Sequence, residues 1–138
     1  MESFPWLTPQ DAPYRFQVRA AETDPLPSAD EGQLALDVLE TAGEIIVTAP
    51  IAGVKPEDLA ISLHHDVLTV RGERKPAIDE KGRYLCRECH WGKFSRMIIL
   101  PETVNPDTVE ATFRSGIMII RLQKSKLNGS IPVQIIKE

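Results

Sequence analysis

The densest grouping of side chains that could do chemistry is Cys86-Arg-Glu-Cys89-His90. A C-x-x-C-H string is the pattern of covalent c-type haem attachment, two thioethers followed by an axial imidazole. Its flanks read as strand, and a chain this small needs its interior for its own core. Zinc is the second option, since a closed site takes four Cys or His ligands. Cys86, Cys89 and His90 with His64 or His65 supply that number on paper. Residues three apart in an extended strand face opposite sides, however, so the two thiolates converge only if the backbone bends between them. A redox disulfide lacks the strand-to-helix setting of thioredoxin-like motifs. The favoured reading is two reduced cysteines in a cytosolic protein.

Other chemistry finds little support. His64-His65 sits where a hairpin turn is expected, and the acidic pairs Glu57-Asp58 and Asp79-Glu80 lie in loops without evident partners. Neither a G-x-G-x-x-G nor a G-x-x-x-x-G-K-[ST] run occurs, and no Ser/His/Asp grouping stands out. We therefore expect no enzyme activity, no cofactor and no metal. A net charge of -4 argues against a nucleic-acid partner, because phosphate contacts need clustered Lys and Arg. The only basic density, Arg71 to Lys75, is diluted by Glu73. No run reaches the ~18 apolar residues of a membrane helix. The opening Met1-Glu-Ser-Phe-Pro-Trp-Leu7 lacks a basic region followed by an apolar core, so a cytoplasmic location without membrane partner is expected.

The elements that must position any site are strands. At 138 residues, 42% hydrophobic and 26% charged, the chain has room for one domain with short extensions. Val109, Ala111 and Phe113 alternate with Glu110, Thr112 and Arg114, the period of a half-buried strand. Ser115-Gly116 then supplies a turn, and Ile117-Met-Ile-Ile120 reads as an internal strand apolar on both faces. Leu34 to Leu39, Glu44 to Ala49, Leu59 to His64, Val67 to Arg71 and Lys93 to Leu100 are further strands, with reversals at Thr41-Ala-Gly43 and His65-Asp66. Pro50 to Glu57 and Lys75 to Arg83 read as loops, Tyr84 to Glu88 as a short strand, and Asn105-Pro106 as a turn. About eight short strands without sustained helical periodicity give an all-β, immunoglobulin-like antiparallel sandwich.

Residues 1–33 read as a flexible N-terminal arm, because Pro5, Pro9, Pro13, Pro25 and Pro27 interrupt every periodicity. Phe4, Trp6, Leu7, Tyr14 and Phe16 nevertheless load it with apolar side chains, which either cover part of the domain's own core or contact partners and unfolded chains. Residues 34–123 form the domain and residues 124–138 a tail. In that tail Ile131-Pro132-Val133 holds two apolar side chains on one side of an extended segment. Each forgoes about 1.5–3 kcal/mol if left in water, so they call for a pocket. A last strand of the same sandwich is the alternative, and Ile135 with Ile136 offers a second register.

Three segments in order carry a resemblance. Ala111, four residues, then Gly116-Ile-Met118 resembles the A-x4-G-V-L signature of the alpha-crystallin domain of small heat-shock proteins. Trp91-Gly-Lys-Phe-Ser-Arg-Met-Ile-Ile-Leu-Pro101 is similar to that family's aromatic-Gly-x-Phe-x-Arg-x3-Leu-Pro segment, and Ala49 to Leu59 to its Leu-Pro-Gly loop. Cys89, His90 and Trp91 depart from it, standing where arginine, a small polar residue and tyrosine are more usual.

The resemblance implies an ATP-independent holdase that binds unfolded or partly unfolded client proteins and assembles with itself, as dimers and then larger oligomers. It assigns Ile131, Pro132 and Val133 to docking between dimers, in an apolar groove whose strands here would be Leu59, Ile61 and Leu63 with Val109, Ala111 and Phe113. It implies a dimer built by exchanging a strand of the long loop, with Tyr84, Leu85 and Arg96 at the interface. Buried, Arg96 would need a carboxylate or carbonyl partner; a solvated strand face is the alternative. It gives the arm, with Phe4, Trp6, Leu7, Tyr14 and Phe16, a part in client capture. A p23-like co-chaperone or scaffold shares the sandwich, and a small redox or metal-binding protein would centre on Cys86, Cys89 and His90.

Overall fold

The computed structural model describes residues 13–20 and 30–125. Among these residues, ten strands lie in two five-stranded sheets packed face to face. They are β1 (Tyr14–Phe16), β2 (Arg19–Ala20), β3 (Gly32–Gln33), β4 (Asp37–Glu40), β5 (Glu44–Pro50), β6 (Leu59–His64), β7 (Val67–Arg74), β8 (Gly92–Ile99), β9 (Glu110–Arg114) and β10 (Ile117–Gln123). One sheet has the order β1-β9-β10-β5-β4, the other β2-β6-β7-β8-β3. Ladders are antiparallel except at β2–β6 and β3–β8, where short parallel pairings form. Helical residues are confined to single 3-10 turns at Pro56–Asp58 and Pro106–Thr108, among the described residues. The fold is the all-β sandwich expected from the strand periodicities.

Register follows from burial. Ile45, Val47 and Ala49 of β5 stand opposite Leu122, Ile120 and Met118 of β10, and all six are fully buried. Ala111 and Phe113 of β9 continue those rows across from Ile120 and Met118. A slip of one residue would turn every one of these side chains to water, so the pattern fixes the pairing. From the second sheet, Ile61, Leu63, Leu68, Val70 and Phe94 close the core. β10 is internal, as expected, and Ile117 and Ile119 make its second face apolar there, but that face is not buried. Ile117 is 40% exposed, so this strand too has a core side and a wetter one.

The tight reversal of the β9–β10 hairpin places both Ser115 (φ 52°) and Gly116 (φ 78°) in the left-handed region, the conformation of a two-residue hairpin loop whose twist matches its strands. His65 (φ 55°) turns β6 into β7.

Departures from the expected strands lie near the N-terminus and in the long loop. Leu34 to Leu39 is not one strand. Leu34 is buried and donates its amide to Ser95 O (3.1 Å) beside the second sheet, whereas Asp37–Glu40 pairs with β5 in the first. The stretch passes from one sheet to the other, so its apolar alternation is shared between two partners. Tyr84 to Glu88 is not a strand here, since no edge among the described residues pairs with it. Among the arm residues, 14–16, 19–20 and 32–33 are strands of the two sheets.

Candidate functional site: the seam between two sheet edges

The expected groove strands are β6 and β9, which lie on the same side of the sandwich in different sheets. On each, alternate residues point inward: Leu59, Ile61 and Leu63 are buried, as are Ala111 and Phe113, while Val109 is half-buried against the core. Between these edges runs a seam, and the structure brings five of the six expected residues to its floor as buried side chains. What the sequence did not reveal is that the seam already holds a strand. Residues 14–20 run along it, pairing first with β9 (Tyr14↔Phe113, Arg15↔Thr112, Phe16↔Ala111) and then with β6 (Arg19↔Ser62, Ala20↔Leu63).

Phe16 and Val18 turn inward and pack on the core, whereas Arg15, Gln17 and Arg19 are exposed. The Phe16 ring meets Phe113 edge-on, centroids 6.4 Å apart, and Tyr14 meets Phe16 at 4.9 Å. Phe16 fits here because its neighbour across the ladder is Ala111, whose small side chain leaves the space a ring needs. Phe16 thus helps cover the chain's own core, and Tyr14 is 47% exposed. Beyond Ala20 the seam opens into a cleft of about 440 Å³ lined by Leu63, His64, His65, Thr103, Val104 and Pro106. Sequence reasoning missed Val18. The signal was present: Phe16-Gln-Val18 carries apolar side chains two apart, as Ile131-Pro-Val133 does.

Arg96 lies on β8 away from this seam. Its Nη1 donates to Leu34 O at 2.9 Å, so it has the carbonyl partner that partial burial demands, and it helps hold the β3 segment against β8. Tyr84 (61% exposed) and Leu85 (86%) stand in the long loop, with the Arg87 guanidinium 4.4 Å from the centre of the Tyr84 ring. Apolar side chains so open to water want a cover.

Cys86 and Cys89 are free and exposed, and the Cys86 thiol donates to Glu88 Oε2 at 3.2 Å. His90 faces elsewhere: its Nε2 lies 2.8 Å from Lys93 O, an acceptor only, so that nitrogen carries the proton. No three His, Cys, Asp or Glu side chains gather into a metal-holding group among the described residues. The His64 and His65 rings lie 4.4 Å apart at the mouth of the cleft. No helix of the described residues is long and apolar enough to cross a membrane. Phe4, Trp6, Leu7, Ile131, Pro132 and Val133 lie outside the described residues.

Residues 37–136 match the Hsp20/alpha crystallin family. The chain belongs to that family. Among relatives, it is similar to small heat shock protein C2 of Rickettsia felis (28% identical over 116 residues, 82% of this chain and 75% of the relative). It is also similar to a 22.7 kDa class IV heat shock protein of Pisum sativum (33% over 117 residues, 81% and 59%). Among solved structures, heat shock protein 16.0 from Schizosaccharomyces pombe superposes with a TM-score of 0.62 at 28% identity, over 78% of this chain and all of that one. HspA from Xanthomonas axonopodis gives the same TM-score at 27% identity, over 68% of this chain and 95% of its own. Small heat-shock proteins are chaperones rather than enzymes, so membership implies chaperone function, with oligomers and unfolded clients as the family's general partners.

Proposed function

We propose that this small heat-shock protein is an ATP-independent, cytoplasmic holdase, built from β-sandwich dimers and tied into larger oligomers by Ile131 and Val133. The observation that carries the reading is the seam between β6 and β9. It accepts an extended strand whose alternate side chains are apolar, as Phe16 and Val18 demonstrate in place. Ile131-Pro132-Val133 has that spacing, and proline keeps it extended.

Holding a client needs apolar surface offered reversibly. The arm supplies Phe4, Trp6, Leu7, Tyr14 and Phe16, and weak tail contacts repeated over many subunits allow exchange. In the dimer, the loop carrying Tyr84 and Leu85 reaches a neighbouring subunit, which covers the side chains left open in one chain. Capture of unfolding chains prevents their aggregation kinetically and requires no nucleotide.

The test is light scattering from a heat-unfolded client without ATP, with the intact chain and with Ile131→Gly/Val133→Gly. Suppression at near-equimolar ratio, with smaller particles and altered suppression after the tail change, is the expected result. Undiminished scattering at every ratio would overturn the holdase reading. Unchanged particle size would remove the tail from assembly.

A further inference from the structure

The loop that exposes Tyr84 and Leu85 also carries both cysteines, and it is pinned just past them. The pin is His90. Its ring lies against the bare backbone of Gly32, so close that a Cβ there would meet His90 Cδ2 at 2.6 Å. Arg74 Nη1 also donates to His90 O at 3.3 Å. Cys89 is thus the neighbour of a fixed point. Upstream, residues 84–89 make no backbone hydrogen bond to either sheet among the described residues. The segment is bent rather than extended: it turns at Leu85 and Cys89, and Arg87 folds back over the Tyr84 ring three residues before it. In a strand, side chains three apart point to opposite faces.

We propose that Cys86 and Cys89 are a peroxide-responsive pair, whose disulfide locks the bent form of the loop and withholds it from a neighbouring subunit. This rests on the dimer reading above, in which the loop is exchanged as a strand, and adds its regulation. In an extended strand the Cα atoms of Cys86 and Cys89 stand about 10 Å apart, whereas a disulfide needs less than about 7 Å. Exchange as a strand and closure of the disulfide therefore exclude each other. Pairing along a ladder keeps the thiols on opposite faces; release lets them meet, with Cys89 held by its anchored neighbour and Cys86 free to swing. Neither cysteine opens a helix, so the pair responds to oxidant rather than catalysing thiol exchange in the thioredoxin manner.

The co-reactant is a hydroperoxide, and both thiols are open to it. The thiolate of one cysteine attacks a peroxide oxygen. The O–O bond breaks, the leaving oxygen takes up the proton that thiol gave up, and a sulfenic acid remains. The second thiol attacks the sulfenic sulfur; the S–S bond forms, and the sulfenic oxygen leaves as water with the second thiol's proton. The pair loses two electrons and the peroxide gains them. Two successive attacks by a small thiol reverse the change. Closure lowers the apparent affinity between subunits by the fraction of chains whose loop can still extend. By linkage, pairing protects the thiols from closure. Oxidant thereby uncovers Tyr84 and Leu85, apolar surface that the dimer hides.

The test treats the reduced full chain with hydrogen peroxide and maps the product. Trypsin cuts after Arg83, Arg87 and Lys93, so the disulfide is seen as residues 84–87 joined to residues 88–93, in chains that stay single on a non-reducing denaturing gel. Deuterium exchange at the amides of residues 84–88 then reads pairing of the loop. In the reduced chain their protection is expected to rise with protein concentration. After peroxide it should fall at least about tenfold, and dithiothreitol should restore it. Cys86→Ser/Cys89→Ser should keep its protection through the same treatment.

A joined pair whose loop stays protected, cysteines joined only between chains, or equal loss of protection in the serine variant would each overturn the switch while leaving the dimer reading in place. No protection of the loop in the reduced chain at any concentration would overturn the dimer reading and the switch with it.

Discussion

Replacing Gly72 with alanine should destabilise the sandwich, although alanine suits a strand at least as well as glycine. Gly72 lies in the middle of β7, paired with Leu59 on one side and Phe94 on the other. Both neighbours lean over the bare backbone. A Cβ built on Gly72 would come 2.5 Å from Phe94 Cζ and 2.8 Å from Leu59 Cδ2, closer than carbon atoms tolerate. Phe94 is 3% exposed and Leu59 7%, and the Arg74 guanidinium lies 5.4 Å from the centre of the Phe94 ring, so the ring has little freedom to retreat. Overpacking of this kind typically costs about 1–3 kcal/mol. For a domain of this size that corresponds to a fall in Tm of roughly 5–15 °C.

The assay is thermal unfolding by circular dichroism at one fixed protein concentration, because assembly itself adds stability. Gly43→Ala is the control, since nothing lies within 4 Å of a Cβ there, and its Tm should move by no more than about 2 °C. A second comparison isolates the cause. In a Phe94→Leu background the Gly72→Ala change should cost less than half as much, because the ring atoms it strikes are gone. Were Gly72→Ala to melt with the wild type, the two side chains would not cross the strand, and the packing described for β6, β7 and β8 would be wrong.

Two further expectations concern how the peripheral strands are held. Arg96→Ala removes the donor to Leu34 O, so amides of residues 32–34 should exchange with deuterium about tenfold faster, the effect of losing a charge-assisted bond of roughly 1.5 kcal/mol. Lysine at 96 should restore only part of the protection; unchanged exchange in the alanine variant would mean that the β3 segment is held by other contacts. Lys124 titrates above its ordinary value of 10.5, chiefly through its hydrogen bond to Glu40 (2.8 Å), with Glu102 (3.5 Å) adding attraction. A raised folded pKa means that this contribution to stability is complete below about pH 10.5 and is lost as pH climbs through the folded value. Glu40→Gln should bring the Lys124 midpoint, followed by side-chain NMR, down toward 10.5, and an unmoved midpoint would contradict the pairing.

Much of the sandwich was legible because burial writes a period of two into its long strands. Glu44–Pro50, Leu59–His64, Val67–Arg74, Gly92–Ile99 and the Glu110–Gln123 hairpin all sit within a few residues of the boundaries read from alternation. The floor of the seam was legible for the same reason. Its occupant was not. Tyr14, Phe16 and Val18 do alternate, but over so short a stretch that the prolines around them argued for an arm. β1 and β2 become strands only because finished edges of β9 and β6 stand beside them, a long-range cause that local pattern does not contain. Leu34 to Leu39 misled differently, since its apolar residues serve two sheets in turn. Tyr84 and Leu85 read as strand from their composition, yet no edge among the described residues receives them.

Among the described residues, the four outermost strands carry a consequence for unwanted strand-to-strand association. The long strands β9, β6, β8 and β5 each lie beside a short N-terminal neighbour, β1, β2, β3 and β4 in turn, of three, two, two and four residues. A bare edge of five to eight residues is a template on which a denatured chain can lengthen a ladder and seed fibre growth. Edges of two to four residues, with Arg15 and Arg19 exposed along one side, offer too short a ladder to fix a foreign strand in register. The short N-terminal segments thus blunt four long strands that would otherwise present bare edges among the described residues.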